Sequence, residues 1–259
     1  MANKLSLKFN NKNFNDFITK LQDLTNIEDT IKLKIDNEHI LMYSMLSNET
    51  SVLALKSYIV DTKEYLNFEE ETTFDFIITS APKFVKNLKF FNLESPIKLD
   101  IVFKPLPDDE EIMHVRAAQF SNGKLKISCV GGEEFKIRDI TKDRLESNLD
   151  ISRSKWGFKI SQQDFLDVKK LCSINNEERI LNINVTEGLV TMNEMSKWEL
   201  EIDKIEPRNT SLIFGKKYLS NINTDKEFID FSIFETFILV KDDNSNLMLS
   251  FEQNFDEVE

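Results

Sequence analysis

The stretch SAPKFVKNLKFFN, residues 80–92, decides the fold that the rest of the chain follows. Its apolar side chains recur at helical spacing, at Phe84, Leu88 and Phe91. Ser80 is suited to the N-cap, and Pro82 falls in the first turn, where its missing N–H costs little. The pattern therefore predicts an amphipathic helix that buries its phenylalanines.

The opposite face of this helix carries three lysines and no acid: Lys83, Lys86 and Lys89. Such a face is either the solvated side of an ordinary amphipathic helix or a contact for a polyanion. Recurrence favours the second interpretation, because similar helices are predicted to begin near positions 13, 161 and 215. Their inward residues are Phe14, Phe17, Ile18, Leu21 and Leu24; Phe165, Val168, Leu171 and Cys172; and Tyr218, Leu219 and Ile222.

Between the helices, apolar and polar residues alternate with a period of two, which is typical of half-buried β-strands. The predicted strands are residues 31–35, 40–46, 52–60, 74–78, 97–103, 124–130, 180–185, 189–195, 197–205, 211–214, 228–235, 237–242 and 247–251. Asn122-Gly123 predicts a tight hairpin turn. A unit of strand, helix and several antiparallel strands thus occurs four times, which predicts an α+β fold of two similar domains.

Residues 131–155 differ from the rest of the chain, because they are charged and poorly periodic. We interpret most of them as a connector and expect one domain over residues 1–132, the connector over 133–155 and a second domain over 156–259. The acidic tail FEQNFDEVE is predicted to be frayed.

Composition narrows the possible functions. With 33 basic and 45 acidic residues the formal charge is -12, so any contact with nucleic acid must be local. Cys129 and Cys172 lack metal-type spacing and indicate buried thiols in a reducing compartment. The sequence shows neither an apolar leader nor a run of about 18 apolar residues, so we expect a cytoplasmic protein.

Residues capable of catalysis form no recognised motif. The sequence has no glycine-rich phosphate loop, nucleophile elbow, His-Glu-x-x-His or Cys-x-x-Cys. His39 and His114 are its only histidines and are predicted to be strand or turn residues. Acids cluster at 69–71, 108–111 and 242–243, but contiguous acids in a loop more often remain solvated than bind a divalent cation. We expect no catalytic residue, no metal site and no cofactor.

Charge is divided unevenly between the helices and the rest of the chain. The four predicted helices, residues 12–25, 80–92, 161–175 and 215–223, together carry +5, whereas the remainder carries -17. Such a division suits a protein that faces a polyanion on one side and solvent on the other. Lysine fits this task because it contacts phosphate as a flexible point charge without reading sequence.

In element order the chain resembles the DNA polymerase sliding clamps, in particular the two-domain, trimeric kind of T-even-like bacteriophages, archaea and eukaryotes. The likeness is clearest in ISQQDFLDVKKLCSIN, ILNINVTEGLVTMNEM and KWELEIDKI, which look like the family's helix, hairpin and edge strand. The resemblance implies that the protein is a non-enzymatic processivity factor. It also implies a homotrimeric ring, with antiparallel sheets on the outside and two helices per domain lining the hole. The implied partners are duplex DNA without sequence preference, a DNA polymerase, a clamp loader and further copies of the chain, with no membrane; a viral clamp would act in the host cytoplasm.

The resemblance also implies three sets of site residues. DNA contact falls on Lys12, Lys20, Lys83, Lys86, Lys89, Lys169, Lys170, Lys216 and Lys217. The subunit joint falls on two edge strands, with Lys124, Leu125, Lys126 and Ile127 in one and Trp198, Leu200 and Ile202 in the other. A groove for a partner peptide falls beside the connector, on Met42, Met45, Leu46, Ile140, Leu149, Ile151, Leu249 and Phe251; the alternative is that Ile140 and Leu149 only pin the connector to the sheets.

Two other functions compete with a clamp. One is a structural or assembly protein of a virus built from duplicated β-rich domains, but such a protein has no reason to keep its lysines on helices. The other is an enzyme with dispersed carboxylates, which the missing nucleophile, base and metal motifs disfavour.

Overall fold

In a computed structural model the chain divides into two compact units, one of Met1–Met45 with Lys56–Ile140 and one of Leu46–Leu55 with Thr141–Glu259. The structure describes residues 4–48, 52–67, 72–105, 113–131, 139–174, 180–186, 189–192, 196–199, 210–215, 218, 221–242, 245–250 and 252–255. The division into residues 1–132, 133–155 and 156–259 stays a prediction.

The strands of unit 1 follow the period-two pattern of the sequence. They are β1 (Lys4–Phe9), β2 (Ile31–Ile35), β3 (His39–Ser47), β4 (Val52–Asp61), β5 (Leu66–Asn67), β6 (Phe74–Ile78), β7 (Ile97–Pro105), β8 (Met113–Asn122) and β9 (Leu125–Gly131). Its helices are α1 (Phe14–Leu24), α2 (Thr62–Tyr65) and α3 (Ala81–Leu88). Residues 46–55, at the far end of the β3–β4 hairpin, group with unit 2.

The strands of unit 1 pair in the order β3-β2-β6-β9-β8-β7-β1-β5. In the antiparallel register Leu33 of β2 lies opposite Met42 on one side and Phe76 on the other. The predicted hairpin turn is confirmed, because Asn122 pairs with Leu125 across two turn residues. Gly123, the first of these, has a φ of 62°, which a type II′ turn requires at that position.

Aromatic rings fill the core between the helices and the sheet. Phe120 is fully buried, and its ring centroid lies 5.6 to 6.3 Å from four others, those of Phe9, Phe17, Phe76 and Phe84. The inward residues predicted for α1 and α3 are all buried. Helical periodicity therefore predicted the faces that these two helices present to the sheet.

Ser80 occupies the N-cap position of α3 as predicted, but the capping hydrogen bond expected from its side chain is not formed. The backbone of Ser80 is left-handed, with φ 51° and ψ 46°. The Ala81 N–H instead donates to the Asp29 carbonyl oxygen over 2.7 Å. A left-handed conformation costs a non-glycine residue about 1–2 kcal/mol, so the packing of α3 and not the serine hydroxyl fixes where this helix begins.

Unit 2 contains the helices α4 (Lys142–Asn148) and α5 (Gln162–Ile174). Its strands are β10 (Trp156–Ser161), β11 (Ile180–Thr186), β12 (Leu189–Met192), β13 (Ser196–Glu199), β14 (Thr210–Gly215), β15 (Phe228–Ile233), β16 (Phe237–Lys241), β17 (Ser245–Ser250) and β18 (Glu252–Phe255). Helix α4 lies within the predicted connector and begins at Thr141, whose hydroxyl accepts a hydrogen bond from the Arg144 N–H over 3.2 Å. The charged sequence gave no sign of this helix.

Two antiparallel sheets make up unit 2. One runs β10-β15-β16-β17, with residues of β4 next to β17, where the Ser250 hydroxyl donates to the Val52 carbonyl oxygen over 2.5 Å. The other runs β13-β12-β11-β14-β18. The tail is therefore not frayed at residues 252–255, which pair with β14. Of the predicted helix over 215–223, residues 216, 217, 219 and 220 lie outside the described residues and Gly215 ends β14, while Tyr218 and Ile222 are buried as expected.

Both units carry helices on antiparallel sheets, so the predicted α+β architecture is confirmed.

Candidate nucleic-acid interface and partner surfaces

The outer face of α3 is a row of exposed lysines. Lys83, Lys86 and Lys89 all face solvent, while Phe84 and Leu88 on the other face are buried. Among the described residues no carboxylate pairs with any of the three. The Lys89 ammonium lies 3.4 Å from the Gln22 side-chain oxygen of α1, so the two helices present one surface. We name these three residues the α3 lysine row.

The lysine of α1 is arranged differently. The Lys20 side chain is only 14% exposed, and its ammonium lies 2.6 Å from both carboxylate oxygens of Asp16. The Tyr65 hydroxyl donates to the same carboxylate. Burial raises the pKa of Asp16, but the hydrogen bonds from Lys20 and Tyr65 outweigh it and hold the pKa below its usual range. Lys20 is therefore committed to Asp16 and is poorly placed to meet a phosphate.

The second carboxylate of α1 is also satisfied within unit 1. The Lys56 ammonium lies 2.5 Å from an Asp23 oxygen, and the Tyr58 hydroxyl donates to that oxygen. Apart from Asp16, which is paired with Lys20, the exposed residues of α1 are uncharged: Asn15, Thr19 and Gln22. The α1–α3 surface is therefore positive, because both acids of α1 are neutralised by lysines while the α3 lysine row is not.

The remaining predicted DNA contacts divide into three groups. Lys12 is exposed in the 3-10 turn Asn11–Asn13 just before α1. Lys169 is half-buried, donates to the Ile222 carbonyl oxygen over 3.1 Å and lies 5.2 Å from the Phe165 ring centroid, so it faces its own unit. The Lys170 side chain is 69% exposed and lies 3.0 Å from Asp167. Lys216 and Lys217 lie outside the described residues.

A cluster of charges anchors the start of the predicted connector to unit 1. Lys32 of β2 is nearly buried and lies 2.8 Å from both Asp75 and Asp139. Lys34 lies 2.7 Å from Asp139. Burial raises the pKa of Asp139, but hydrogen bonds from Lys32 and Lys34 outweigh it, and the net effect is a lowered pKa. Burial also raises the pKa of Tyr43 to about 12, and this neutral hydroxyl accepts a hydrogen bond from the Ile140 N–H over 3.3 Å.

Replacing Asp139 with Asn should lower the free energy of unfolding by about 1 kcal/mol at pH 7, because Asp139 is half-exposed and its ion pairs are partly screened. A carboxyl whose folded pKa is lowered stabilises the fold above its unfolded pKa and stops doing so as pH falls through the folded value. The difference between wild type and variant should therefore be complete above about pH 5 and disappear well below the ordinary value of 3.8. Urea unfolding at several pH values measures it, with the exposed Glu94→Gln as the control; a difference that persists in acid would contradict the ion-pair account.

The predicted peptide groove is only partly at the surface. Three of its members are buried in the cores and cannot line an open groove, which corrects the prediction for Met42, Leu149 and Leu249. Met45, Leu46 and Ile140 are half-buried, and Ile151 is 42% exposed. Phe251 lies outside the described residues. The burial of Leu149 and the bond at Ile140 agree with the alternative in which these two residues pin the connector.

A cleft of about 490 Å³ lies beside Ile151 within unit 2. Gly157 lines the cleft. A larger residue would not fit at this position, because an added Cβ would lie 2.7 Å from the Phe231 carbonyl oxygen. Two ion pairs edge the cleft, Lys159 with Asp230 at 3.4 Å and Lys226 with Asp242 at 2.6 Å. An apolar side chain beside a shallow, partly charged cleft is a surface suited to one end of a peptide.

The two strands predicted to join subunits both have open edges among the described residues. β9 pairs with β8 along its length, but β6 meets it only at Val130 and Gly131, which leaves Leu125 to Cys129 unpaired on one side. β13 is the last strand of its sheet, with Trp198 opposite Val190. Leu200 and Ile202 lie outside the described residues.

Within the part of the chain that the structure describes, no three His, Cys, Asp or Glu residues come together as a metal site. Burial raises the pKa of the Cys129 thiol, as expected for a buried thiol. No helix among the described residues has the length and apolar character needed to cross a bilayer.

Comparison with known proteins gives matches in structure alone, since no family model and no curated protein sequence matches the chain. The beta clamp of Helicobacter pylori in complex with diflunisal superposes with a TM-score of 0.62 at 12% identity, over 99% of this chain and 66% of that one. The DNA polymerase III beta chain of Streptococcus pneumoniae gives 0.61 at 13%, over 99% and 67%. Proliferating cellular nuclear antigen of Entamoeba histolytica gives 0.53 at 15%, over 97% and 98%.

The chain has the sliding-clamp fold. It spans about two-thirds of the length of these bacterial clamps and nearly all of the Entamoeba clamp. The resemblance inferred from element order is thus confirmed at the level of the fold.

Counting charges over residues 12–25 shows that the acids of α1 balance the lysines there, but sequence reasoning missed the two tyrosines and the β4 lysine that contact these acids. The Asp16–Lys20 pair is four residues apart on one helix and could have been predicted from that spacing. Lys32 and Asp139 are 107 residues apart, and no local pattern indicates their contact.

Proposed function

We propose that this protein is a sliding clamp, a non-catalytic ring that encircles duplex DNA and tethers a replicative polymerase. Two observations support the proposal together. The chain has the sliding-clamp fold. Among the described residues the α3 lysine row has no carboxylate partner, whereas both acids of α1 are paired with lysines. Positive helices on an acidic protein are what contact with a phosphate backbone requires.

Closure into a ring is supported by the correspondence between the units. After α3 of unit 1 the strands β7, β8 and β9 form a meander, of which β9 is the third strand. In unit 2 the strands β15, β16 and β17 form a similar meander, of which β17 is the third strand. Likewise β4 and β13 are the third strands after α1 and α5. Pairing of β9 of one copy with β13 of the next would use both open edges. Three two-domain chains joined head to tail would close a ring of six domains.

DNA contact is proposed for Lys12, the α3 lysine row, Lys170, Lys216 and Lys217. Lys20 and Lys169 are left out of this set, because each is partly buried and bonded within its own unit, whereas Lys170 is paired with Asp167 but remains 69% exposed. Lysines reach phosphates and not base edges, so binding should be independent of sequence.

Partner binding is proposed for the apolar surface of unit 2, at Leu46 and at Ile151 beside the cleft. A Helicobacter pylori beta clamp has been solved with a DNA ligase peptide bound, at 11% identity to this chain. By analogy, a polymerase and a clamp loader would each dock a short peptide here through a few aliphatic or aromatic anchors. The bacteriophage source and the cytoplasmic location stay predictions.

Replacing Leu46 and Ile151 together with Glu should weaken binding of the cognate polymerase's terminal peptide at least about fivefold, because charges would occupy the anchor positions. Fluorescence anisotropy of a labelled peptide measures the effect, with light scattering to check that the assembly is intact. Phe228→Glu, at another exposed apolar residue, is the matched control. Unchanged peptide binding by the double variant would remove the groove from the proposal.

A further inference from the structure

Phe90 is the most exposed large apolar residue of the described chain. Its side chain is 77% exposed, whereas the next, Phe228, is 48% exposed. It follows directly on the last residue of the α3 lysine row. A phenylalanine left this open contributes little to the core and is accessible to a ligand.

The backbone on both sides of Phe90 is held in place. The Phe90 N–H donates to the Asn87 carbonyl oxygen over 3.1 Å. Phe91 is buried and stacks on Phe14, with centroids 5.7 Å apart and planes 4° from parallel. The Asn92 N–H donates to the Asn122 side-chain oxygen over 2.8 Å. The exposed ring therefore projects from a fixed segment and loses little conformational entropy when a ligand covers it.

The surroundings of Phe90 indicate the chemistry of that ligand. Phe90 lies in the turn that follows α3, directly after Lys89 and four residues after Lys86. Leu93, at 38%, is the other exposed large apolar side chain of this segment. This is too little apolar surface for a protein anchor, which needs a cluster of apolar neighbours. An aromatic ring beside a row of exposed lysines, which have no carboxylate partner within the described part of the chain, is instead the combination that binds single-stranded nucleic acid.

We infer that Phe90 is a stacking platform for an unpaired base of single-stranded DNA whose phosphates lie along the α3 lysine row. The inference rests on the proposed function and extends it from the duplex to the unpaired strand beside it. Bases within a duplex are already stacked on both faces, so contact with Phe90 there would require a kink. Any unpaired base can stack on an aromatic ring, because every base has a π-face. Such a contact therefore suits a protein that slides along DNA without sequence preference.

The test is anisotropy of the assembled full-length protein with a labelled oligothymidylate of about 20 nucleotides and with a duplex of the same length. Phe90→Ala should bind the single strand about tenfold more weakly, with an unchanged salt dependence, because no phosphate contact is lost. Phe90→Trp should retain binding, and Phe228→Ala should behave as wild type. Lys86→Ala should instead reduce the slope of log affinity against log salt by about 0.7 on the single strand.

Three results would overturn the inference: wild-type binding of the single strand by Phe90→Ala, an equal loss on the duplex, or a changed mass of the assembly. Wild-type binding would show that Phe90 does not contact DNA. An equal loss on the duplex would show that Phe90 contacts duplex DNA, and a changed mass would show that it contacts another protein chain. If the lysine variants also bind both DNAs normally, the proposed clamp function fails as well. If they weaken binding and Phe90→Ala does not, the clamp function stands and only the role of Phe90 is lost.

Discussion

Replacing Lys83, Lys86 and Lys89 together with alanine is expected to weaken binding of duplex DNA about a hundredfold near physiological salt. Each lysine that contacts a phosphate releases about 0.9 counterion, so the slope of log affinity against log salt should fall by about 2.7. At about 0.15 M salt, three such contacts correspond to roughly that hundredfold loss. The free energy of unfolding should change by less than about 0.5 kcal/mol, because all three side chains are exposed.

The matched control for this variant is Lys63, Lys98 and Lys104 replaced together with alanine. These lysines are also exposed in unit 1, have no ion pair among the described residues and lie off α1 and α3. The control removes the same charge, so a general loss of electrostatic attraction would affect both variants equally. We expect the control to keep nearly the full salt slope.

Duplexes of different base composition should give the same affinities with either variant, since phosphate contacts carry no sequence information. If the α3 variant keeps the wild-type slope, the lysine row is only the solvated side of an amphipathic helix. That result would remove the main electrostatic support for DNA contact.

Local patterns in the sequence were enough to predict the elements that carry this surface. The inward faces of α1 and α3 follow from helical spacing, and every member of both is buried. The Asn122-Gly123 turn and the strands on either side of it follow from period-two alternation and from the freedom of glycine to adopt a positive φ. These features depend on residues close together in the chain.

The rest could not be predicted, because it depends on contacts between distant residues. Counting charges gives the predicted helix over residues 12–25 a net charge of zero, but only the structure shows that Lys56 from β4 neutralises Asp23 and that the Tyr58 hydroxyl donates a hydrogen bond to it. Met42 and Leu149 look like surface residues beside a charged connector, yet packing buries both. The strand at 252–255 belongs to a tail that is acidic in sequence, and its pairing partner β14 is about 40 residues earlier in the chain.

The second large effect expected is on assembly, through the open edge of β9. Asn122 and Leu125 close a two-residue hairpin, so the N–H groups of alternate residues in β9, including Ser128, point away from β8. Ser128→Pro removes one of these N–H groups while sparing the pairing with β8, and should break the joint to β13 of the next copy. Ser128→Ala is the matched control, because it also loses the contact with Gln119 but keeps the N–H.

Molar mass by light scattering at micromolar concentration tests the central claim most directly. The wild type and Ser128→Ala should each give about 91 kDa, three times the 30.3 kDa of one chain, and Ser128→Pro should shift toward the single chain. A wild-type mass of about 30 kDa at that concentration would contradict a closed ring of three chains and, with it, the clamp account.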